Sequence, residues 1–299
     1  MEKLKKFLKI LLSIIMLLVL GFIGLILYAI VSDYKPDETE LLARPDDPSL
    51  LKDSTVYSLL TWNIGYAGLD KGMDFFKDGG TKVITPEENL LENVSAIKDF
   101  LTKHDTVDFI LLQEVDRNSK RSYRTDQYQS ISESLSGHVP FFAMNYDVFF
   151  VPVPPTNPMG KVVSGIATYS DFIPASSARY SLPGDFGFPT QLFYLDRCFM
   201  ASRYRIENGK ELVLINTHNE AFDEGGNIRK AQMESLKEYA LNEYNSGNYV
   251  IIGGDWNQFP PDFNPAFSAN KVFTGKFGNF NLTGIEPDYM PLEWKWVFD

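Results

Sequence analysis

The feature that most limits how this chain can fold is an uninterrupted apolar stretch close to its N-terminus. Residues Ile10–Val31 form a run of 22 positions. Its only weak interruptions are Ser13, Gly21, Gly24 and Tyr28. A helix that crosses the hydrocarbon core of a bilayer needs about 20 such residues. The sequence therefore predicts one transmembrane helix, and it assigns residues 1–32 to an N-terminal membrane anchor.

Charged residues on either side of this stretch predict its orientation. The residues before it include Lys3, Lys5, Lys6 and Lys9, whereas those after it include Asp33, Asp37, Glu38 and Glu40. Lysine and arginine are enriched on the cytoplasmic side of membrane helices. We therefore expect a single-pass protein of the cell membrane whose chain after residue 32 is extracytoplasmic. A cleaved signal peptide is the alternative, but its apolar core normally has about 7 to 15 residues, and no A-x-A site is present.

The rest of the chain is predicted to be a tether followed by one domain. Residues 33–54 are interpreted as an acidic tether, because prolines stand there among acidic residues with little periodic apolar content. Residues 55–299 are long enough for one large α/β domain. The single Cys198 excludes an internal disulfide. The first 32 residues carry four lysines and one glutamate, so the net charge of −11 for the whole chain becomes −14 for the remainder. This acidic balance disfavours nucleic acid as a partner, since cationic contacts to phosphates dominate that affinity.

Helical periodicity is clear in two segments of this domain. The first begins at Thr85, which is predicted to be the N-cap, with Pro86 in the first helical position. Its apolar face consists of Leu90, Val94, Ile97 and Leu101. The second covers Arg229–Tyr244, and its inward residues are predicted to be Met233, Leu236, Ala240 and Tyr244.

Short apolar runs between and around these helices predict strands. The runs are Val56–Trp62, Asp108–Leu112, Val162–Tyr169, Arg197–Ile206, Leu212–Asn216 and Tyr249–Ile252. Asn208-Gly209 is a strong hairpin signal, and the prolines of Phe149–Pro155 confine that segment to an edge or a loop. Hairpins thus alternate with strand–helix–strand passages. The pattern predicts an α/β fold of two mixed sheets packed together and flanked by helices.

Polar side chains follow four of the apolar runs, at the points where strands are predicted to end. The segments are Thr61-Trp62-Asn63, Gln113-Glu114-Val115-Asp116, Asn216-Thr217-His218 and Gly253-Gly254-Asp255-Trp256-Asn257. Oxygen and imidazole groups at strand ends are what a metal-assisted phosphate-cleaving site needs. The oxygen donors favour Mg²⁺, with Mn²⁺ or Ca²⁺ as alternatives. Zinc is disfavoured by a single cysteine and three scattered histidines.

Each of these residues also has an ordinary structural explanation. A carboxylate directly after four apolar residues, as at Glu114, is costly unless it is exposed or coordinated, and the alternative is a solvated loop glutamate. His218 ends a buried strand, where titration near pH 6.5 is useful, whereas His104 and His138 are interpreted as structural. Arg197 lies in an otherwise apolar strand, where a salt bridge competes with substrate binding.

Taken together, the four segments resemble the endonuclease/exonuclease/phosphatase superfamily, which includes DNase I-like nucleases and neutral sphingomyelinases. The resemblance runs from about residue 55 to residue 258 and extends to Arg229 and Gln232. It implies a four-layer α/β/β/α sandwich and metal-dependent phosphoester hydrolysis. By similarity, Glu114 binds the metal with help from Asn63, while Asp255 and Asn257 orient the attacking water and the phosphate. His218 matches the histidine that contacts the scissile phosphate, and Arg197 and Asn216 are expected to bind substrate.

One departure from the family pattern concerns the end of the chain. The superfamily normally closes with a Ser-Asp-His segment, yet the 44 residues after Asp255 contain no histidine. Two interpretations are open, either a C-terminally incomplete domain over residues 55–299 or a member without full catalysis. The first is favoured because the other motif segments are intact.

The resulting hypothesis is a membrane-anchored, Mg²⁺-dependent phosphoesterase. Its expected substrate is a lipid headgroup or a small phosphodiester outside the membrane, with the bilayer itself contacted through residues 10–31. The alternatives are an extracellular nuclease and a non-catalytic binding protein that lacks the last histidine. No protein partner is evident from the sequence.

Overall fold

The computed structural model describes residues 2–184, 186–223, 225–261 and 284–297 of the chain. Over these ranges the secondary structure alternates between strands and helices after a long N-terminal helix. In chain order the elements are α1 (Glu2–Ser32), β1 (Thr39–Ala43), β2 (Leu50–Leu51), β3 (Leu59–Asn63), α2 (Glu87–Lys103), β4 (Phe109–Asp116), α3 (Gln127–Ser134), β5 (Val139–Val151), β6 (Gly160–Ser170), β7 (Ser176–Ser181), β8 (Cys198–Ile206), β9 (Glu211–His218), α4 (Asn227–Asn245) and β10 (Tyr249–Asp255).

The strands form two sheets, and each sheet contains both parallel and antiparallel pairs. The larger sheet has the order β1-β7-β8-β9-β10, with β2 pairing beside β8. Within it, β10 runs parallel to β9, whereas β7, β8 and β9 are successively antiparallel. The smaller sheet has the order β3-β4-β6-β5, and only its β3–β4 pair is parallel. The predicted pair of mixed sheets is confirmed.

Separate apolar clusters hold four layers together. Helices α2 and α3 cover the outer face of the smaller sheet, where Leu90 packs in one cluster with Ile110. Between the sheets, Phe109 of β4 packs with Tyr204 of β8. Helix α4 covers the outer face of the larger sheet through Leu236. The molecule is therefore the predicted α/β/β/α sandwich. The first four residues of β4, Phe109–Leu112, are all apolar because successive residues face opposite, buried sides of the sheet.

Part of the predicted tether belongs to the larger sheet. Strand β1 pairs with β7, and β2 pairs with β8. Leu51 is buried in the cluster between the sheets, and Leu42 and Ala43 pack against a neighbouring one. The sequence interpretation of residues 33–54 as an acidic tether is therefore wrong at 39–43 and 50–51. It failed there because these apolar segments are too short to show a periodic pattern.

The two predicted helices are present, with local differences. All four residues of the predicted apolar face of α2 are buried. Thr85 does not cap this helix, because Pro86 occupies the N-cap and the Thr85 hydroxyl donates to Asp70 at 3.3 Å instead. In α4 the inward positions are buried except Tyr244, which is 42% exposed and packs its ring against Trp294 at the surface.

The hairpin and edge-strand predictions are also confirmed. Strands β8 and β9 are antiparallel and joined at Asn208-Gly209, where Gly209 adopts φ +83°. Strand β5 lies at the edge of the smaller sheet and ends at Val151, so the prolines that follow stand outside the ladder. A strand that ends before its prolines loses no sheet hydrogen bond.

Helix α1 extends away from the sandwich. It is long and apolar enough to cross a membrane, and its most apolar window is 0% buried within the protein. Ala29 is its buried residue, in the last turn, and this end of α1 contacts β5 and the short 3-10 turn at Thr190–Phe193. By length and composition α1 is a candidate membrane span, a test that a signal sequence near an N-terminus also passes.

Candidate active site

The polar residues predicted from the sequence meet where strands of both sheets end. Asn63 is the last residue of β3, His218 the last of β9 and Asp255 the last of β10. The parallel β9–β10 ladder places Asp255 directly beside His218, and the β3–β4 ladder places Asn63 beside Gln113. Two parallel pairs, one in each sheet, thus bring their carboxyl ends to the same place.

Asn63 joins the two carboxylates of this site. Its Nδ2 donates to Glu114 Oε1 at 3.0 Å and to Asp255 Oδ2 at 2.7 Å. Its Oδ1 accepts from the backbone N–H of Gly65 at 2.9 Å, which fixes the orientation of the amide. Because β3 and β10 belong to different sheets, this one side chain also connects the sheets at the site.

Glu114 is held by an irregularity in β4. The register between β4 and β6 shifts between Leu112 and Val115, and Glu114 adopts φ +55°. A non-glycine residue in the left-handed region is strained, and bulges that re-aim a side chain are common beside active sites. The bulge explains why Gln113 is buried while the next residue, Glu114, is partly exposed at the site.

His218 and Asp255 lie close enough to influence each other's protonation. His218 Nε2 lies 3.9 Å from Asp255 Oδ2. Burial lowers the pKa of His218, and the positive charge of Arg197 lowers it further. The negative charge of Asp255 acts in the opposite direction but does not cancel these two effects. Burial alone would raise the pKa of Asp255, but His218, the Asn63 amide and the Asn257 N–H outweigh it and hold that pKa below its ordinary value. The resting site therefore contains an ionised aspartate beside a neutral imidazole at neutral pH.

His218 also has an unused polar atom. Its Nδ1 is buried and has no hydrogen-bond partner among the residues that the structure describes. An unpaired buried donor or acceptor costs free energy and marks a site where a missing ligand or water fits. The imidazole is therefore available to a bound group.

Asn257 closes the loop that follows β10. Its backbone N–H donates to Asp255 Oδ1 at 2.9 Å, and its Nδ2 donates to the Asn219 carbonyl at 2.8 Å. It adopts φ +52°, a conformation that asparagine tolerates better than most residues. Arg229 Nη1 donates to its carbonyl at 3.4 Å. Asn257 thus holds Asp255 in place, and its own contact with a phosphate stays a prediction.

Asn216 occupies a different place from the one predicted. Its Oδ1 accepts from Gln113 Nε2 at 2.8 Å, and its Nδ2 donates to the carbonyls of Ala167 and Leu112 at 2.9 and 3.2 Å. The residue is fully buried between the sheets. With its amide engaged on both sides, Asn216 connects β9 to the smaller sheet, so the expectation of substrate contact is corrected to a structural role.

Arg197 is paired with an acidic residue that the sequence interpretation missed. Its Nε donates to Glu220 Oε2 at 3.1 Å, and both side chains are buried. Glu220 also accepts from the Tyr194 hydroxyl and from two backbone N–H groups, those of Ala221 and Phe222. Arg197 Nη1 has no partner among the described residues. The salt-bridge alternative is therefore present, and substrate binding by the remaining guanidinium nitrogen stays a prediction.

A signal for Glu220 was available in the sequence. The antiparallel β8–β9 ladder pairs Phe199 with Thr217, so the residues before Phe199 lie beside those after Thr217. The Asn208-Gly209 hairpin fixes that register. Lys77 is a second missed residue, and it had no such signal, because a long loop brings it over the rings of Tyr194 and Phe222 at 5.3 and 4.8 Å.

The donor set of the site fits a hard divalent cation. Glu114 and Asp255 offer carboxylate oxygens within reach of one Asn63 amide. Among the residues that the structure describes, no cluster of three or more His, Cys, Asp or Glu side chains is arranged to hold a metal. Magnesium is usually bound through one or two carboxylates and keeps several waters, whereas structural zinc needs four protein ligands. The arrangement therefore suits a divalent cation that takes oxygen ligands.

Gly254 is required for the approach of β10 to β9. It adopts φ +137°, and a Cβ on it would overlap the backbone of Thr217. We expect Gly254→Ala to lower the free energy of unfolding by about 1–3 kcal/mol, as overpacking does, and to displace Asp255. Chemical unfolding followed by tryptophan fluorescence measures the change. Gly137→Ala is the control, because a Cβ there meets nothing within 4 Å; equal stability of the two variants would contradict the prediction.

Solved structures with a similar fold are distant from this chain. An endonuclease/exonuclease/phosphatase from Beutenbergia cavernae DSM 12333 is 17% identical, with a TM-score of 0.47, over 74% of this chain and 50% of that one. ANGEL2, a 2',3'-cyclic phosphatase, is 18% identical, with a TM-score of 0.45, over 71% and 55%. The human Nocturnin catalytic domain is 17% identical, with a TM-score of 0.42, over 78% and 73%. This chain spans about half the length of the first two.

Comparison with curated proteins found no match. A family model does match, and its description is the Endonuclease/Exonuclease/phosphatase family. The match covers residues 60–284 and includes all four polar segments at the strand ends. Because the matched region is more than half of the chain and contains the site described above, the protein belongs to the endonuclease/exonuclease/phosphatase family.

Proposed function

We propose that this protein is a membrane-anchored, Mg²⁺-dependent phosphodiester hydrolase whose catalytic domain lies outside the cytoplasm. Membership of the family supports phosphoester hydrolysis with a divalent metal ion as the general chemistry. The observation that carries the proposal is the Asn63 amide, which holds Glu114 and Asp255 together beside His218. A lipid headgroup or a small phosphodiester is the proposed substrate, since the acidic exported domain disfavours nucleic acid.

Each residue has a defined task in this proposal. Glu114 would hold the cation, with Asn63 fixing the carboxylate. Asp255, ionised at neutral pH, accepts a hydrogen bond from the attacking water and so orients it toward phosphorus. His218 places its imidazole against a phosphate oxygen, where a positioned donor stabilises developing charge. When bound, the cation supplies Lewis-acid stabilisation of the phosphate.

The test is hydrolysis of a chromogenic phosphodiester by the full chain in mild detergent, with Mg²⁺ and with EDTA. We expect turnover that requires Mg²⁺ and falls by about 10²-fold in His218→Asn, the lower end of the effect of losing one positioned donor to developing charge. His104→Asn is the matched control, because that histidine lies at the end of α2 and bonds the Phe100 carbonyl. Folded protein without turnover would reject catalysis by this chain and favour a binding role.

A further inference from the structure

The C-terminal end of α1 is packed against the catalytic domain. The Tyr28 and Phe149 rings meet edge to face, with centroids 4.6 Å apart. Ala29 is 1% exposed, and α1 contacts both β5 and the 3-10 turn at Thr190–Phe193. The domain therefore meets α1 beside the last residues of the apolar run, before that run ends at Val31.

This contact sets the height of the domain above a bilayer. The 22 residues of Ile10–Val31 give a helix about 33 Å long at about 1.5 Å per residue. That length matches a hydrocarbon core about 30 Å thick. Tyr28 lies only three positions before the end of the run, which corresponds to about 4.5 Å along the axis. If α1 spans a bilayer along its normal, the Phe149 ring is level with the boundary between headgroups and acyl chains.

Two segments beside this end of α1 contain no charged residue. Residues 148–160 and 186–195 contain no Asp, Glu, Lys or Arg, in a chain in which 22% of residues are charged. Residues 187–191 are all exposed, and Phe188 is 65% exposed. Uncharged, aromatic loops partition into the interfacial layer of a membrane, whereas a surface with a net negative charge would be repelled by anionic lipid.

The same loop is linked to the candidate active site. Tyr194 follows the Thr190–Phe193 turn, and its ring packs on Phe186 at 4.2 Å. Its hydroxyl donates to Glu220 at 3.1 Å, and Glu220 in turn pairs with Arg197. Only this short series of contacts separates the exposed loop from the residues that surround His218.

We propose that residues 186–195, together with Phe149 and Phe150, form a docking surface that enters the headgroup layer of the bilayer that α1 spans. The site then receives phosphoesters presented by lipids of that bilayer rather than from solution. This inference rests on the membrane anchor of the proposed function, but it does not require that the chain be catalytic.

The test is the solvent accessibility of spin labels on the full chain in phosphatidylcholine–phosphatidylglycerol nanodiscs. The natural Cys198 is not expected to react with the spin label, because burial raises the pKa of its thiol to about 11 and shields it from the reagent. Labels are attached at Phe188→Cys, at Leu91→Cys on α2 and at Val19→Cys in the middle of α1. Leu91 is the matched control, being 53% exposed and apolar but distant in sequence and element from the docking surface.

We expect the labels at 188 and at 19 to collide more with oxygen than with a water-soluble nickel chelate. We expect the label at 91 to collide more with the chelate than with oxygen. A label at 188 that is as accessible to the chelate as the one at 91 would overturn docking while leaving the anchor intact. If the label at 19 is also accessible to the chelate, both the anchor and the docking surface are wrong. Phosphodiester turnover, measured separately, bears on catalysis alone.

Discussion

Glu114→Gln is expected to lower Mg²⁺-dependent kcat/KM by on the order of 10³-fold, the upper range for losing one fixed electrostatic contact in an active site. Glu114 and Asp255 are the two carboxylates held by Asn63, so the substitution removes one of two negative charges available to the cation. Glutamine has the same shape, and its amide oxygen can still accept the Asn63 hydrogen bond. The measurement is kcat/KM across a range of Mg²⁺ concentrations.

The dependence on Mg²⁺ separates loss of a ligand from general damage. If Glu114 holds the cation, activity of the variant recovers in part as Mg²⁺ is raised, while thermal unfolding without metal is unchanged. Glu133→Gln on α3 is the matched control, since Glu133 is exposed and accepts a hydrogen bond from Gln129 one helical turn away. Equal activity of the Glu114 and Glu133 variants would remove Glu114 from the site.

Glu220→Gln is expected to destabilise the fold by about 3–5 kcal/mol, the cost of breaking a buried ion pair on one side. Arg197 keeps its charge, is 6% exposed and already has one guanidinium nitrogen with no partner in the described part of the chain. Urea unfolding of the full chain in mild detergent, followed by tryptophan fluorescence, gives the difference. The control is Glu211→Gln, which breaks a pair with Arg203 that is about a quarter exposed on each side and is expected to cost at most about 1 kcal/mol.

The Arg197–Glu220 pair also predicts a dependence of stability on pH. Burial raises the pKa of Glu220. The charge of Arg197 and the hydrogen bonds from Arg197, Tyr194 and the Phe222 N–H lower it by more, so the pKa in the folded protein lies below the ordinary 4.5. A depressed carboxyl pKa contributes stability that is fully present above the unfolded pKa and is lost as pH falls through the folded one. The difference in free energy of unfolding between wild type and Glu220→Gln should therefore be constant from pH 7 to about 5. It should shrink as the pH falls below the ordinary glutamate pKa. A gap that stays unchanged at acid pH would argue against this charge pairing.

The layers and the position of the site follow from local patterns in the sequence. Apolar runs predict β4 and β9, because a strand buried on both faces has no polar residues until it ends. The run Tyr249–Ile252 also predicts β10, although Tyr249 and Ile251 are more than 40% exposed. The polar segment after each run then gives the site residues. The apolar faces of α2 and α4 follow from helical spacing, and the β8–β9 hairpin follows from Asn208-Gly209.

Other features depend on contacts between residues distant in the chain. Leu51 shows no periodicity of its own and becomes part of the core only because β8 lies beside it. Asn216 looks like a site residue until the neighbouring sheet supplies Gln113 and two carbonyl groups as partners. The position of Lys77 over two rings is set by a loop, and no local rule determines where that loop lies.

The left-handed backbone of Glu114 sets stability and activity against each other at one position. A non-glycine residue in this region of φ and ψ costs on the order of 1–3 kcal/mol. Glycine would adopt φ +55° without that cost, so the substitution that best relaxes β4 is also one that deletes a carboxylate from the site. Selection for a more stable protein alone would therefore favour losing the residue, and the metal-binding role proposed for its carboxylate is what would offset that cost.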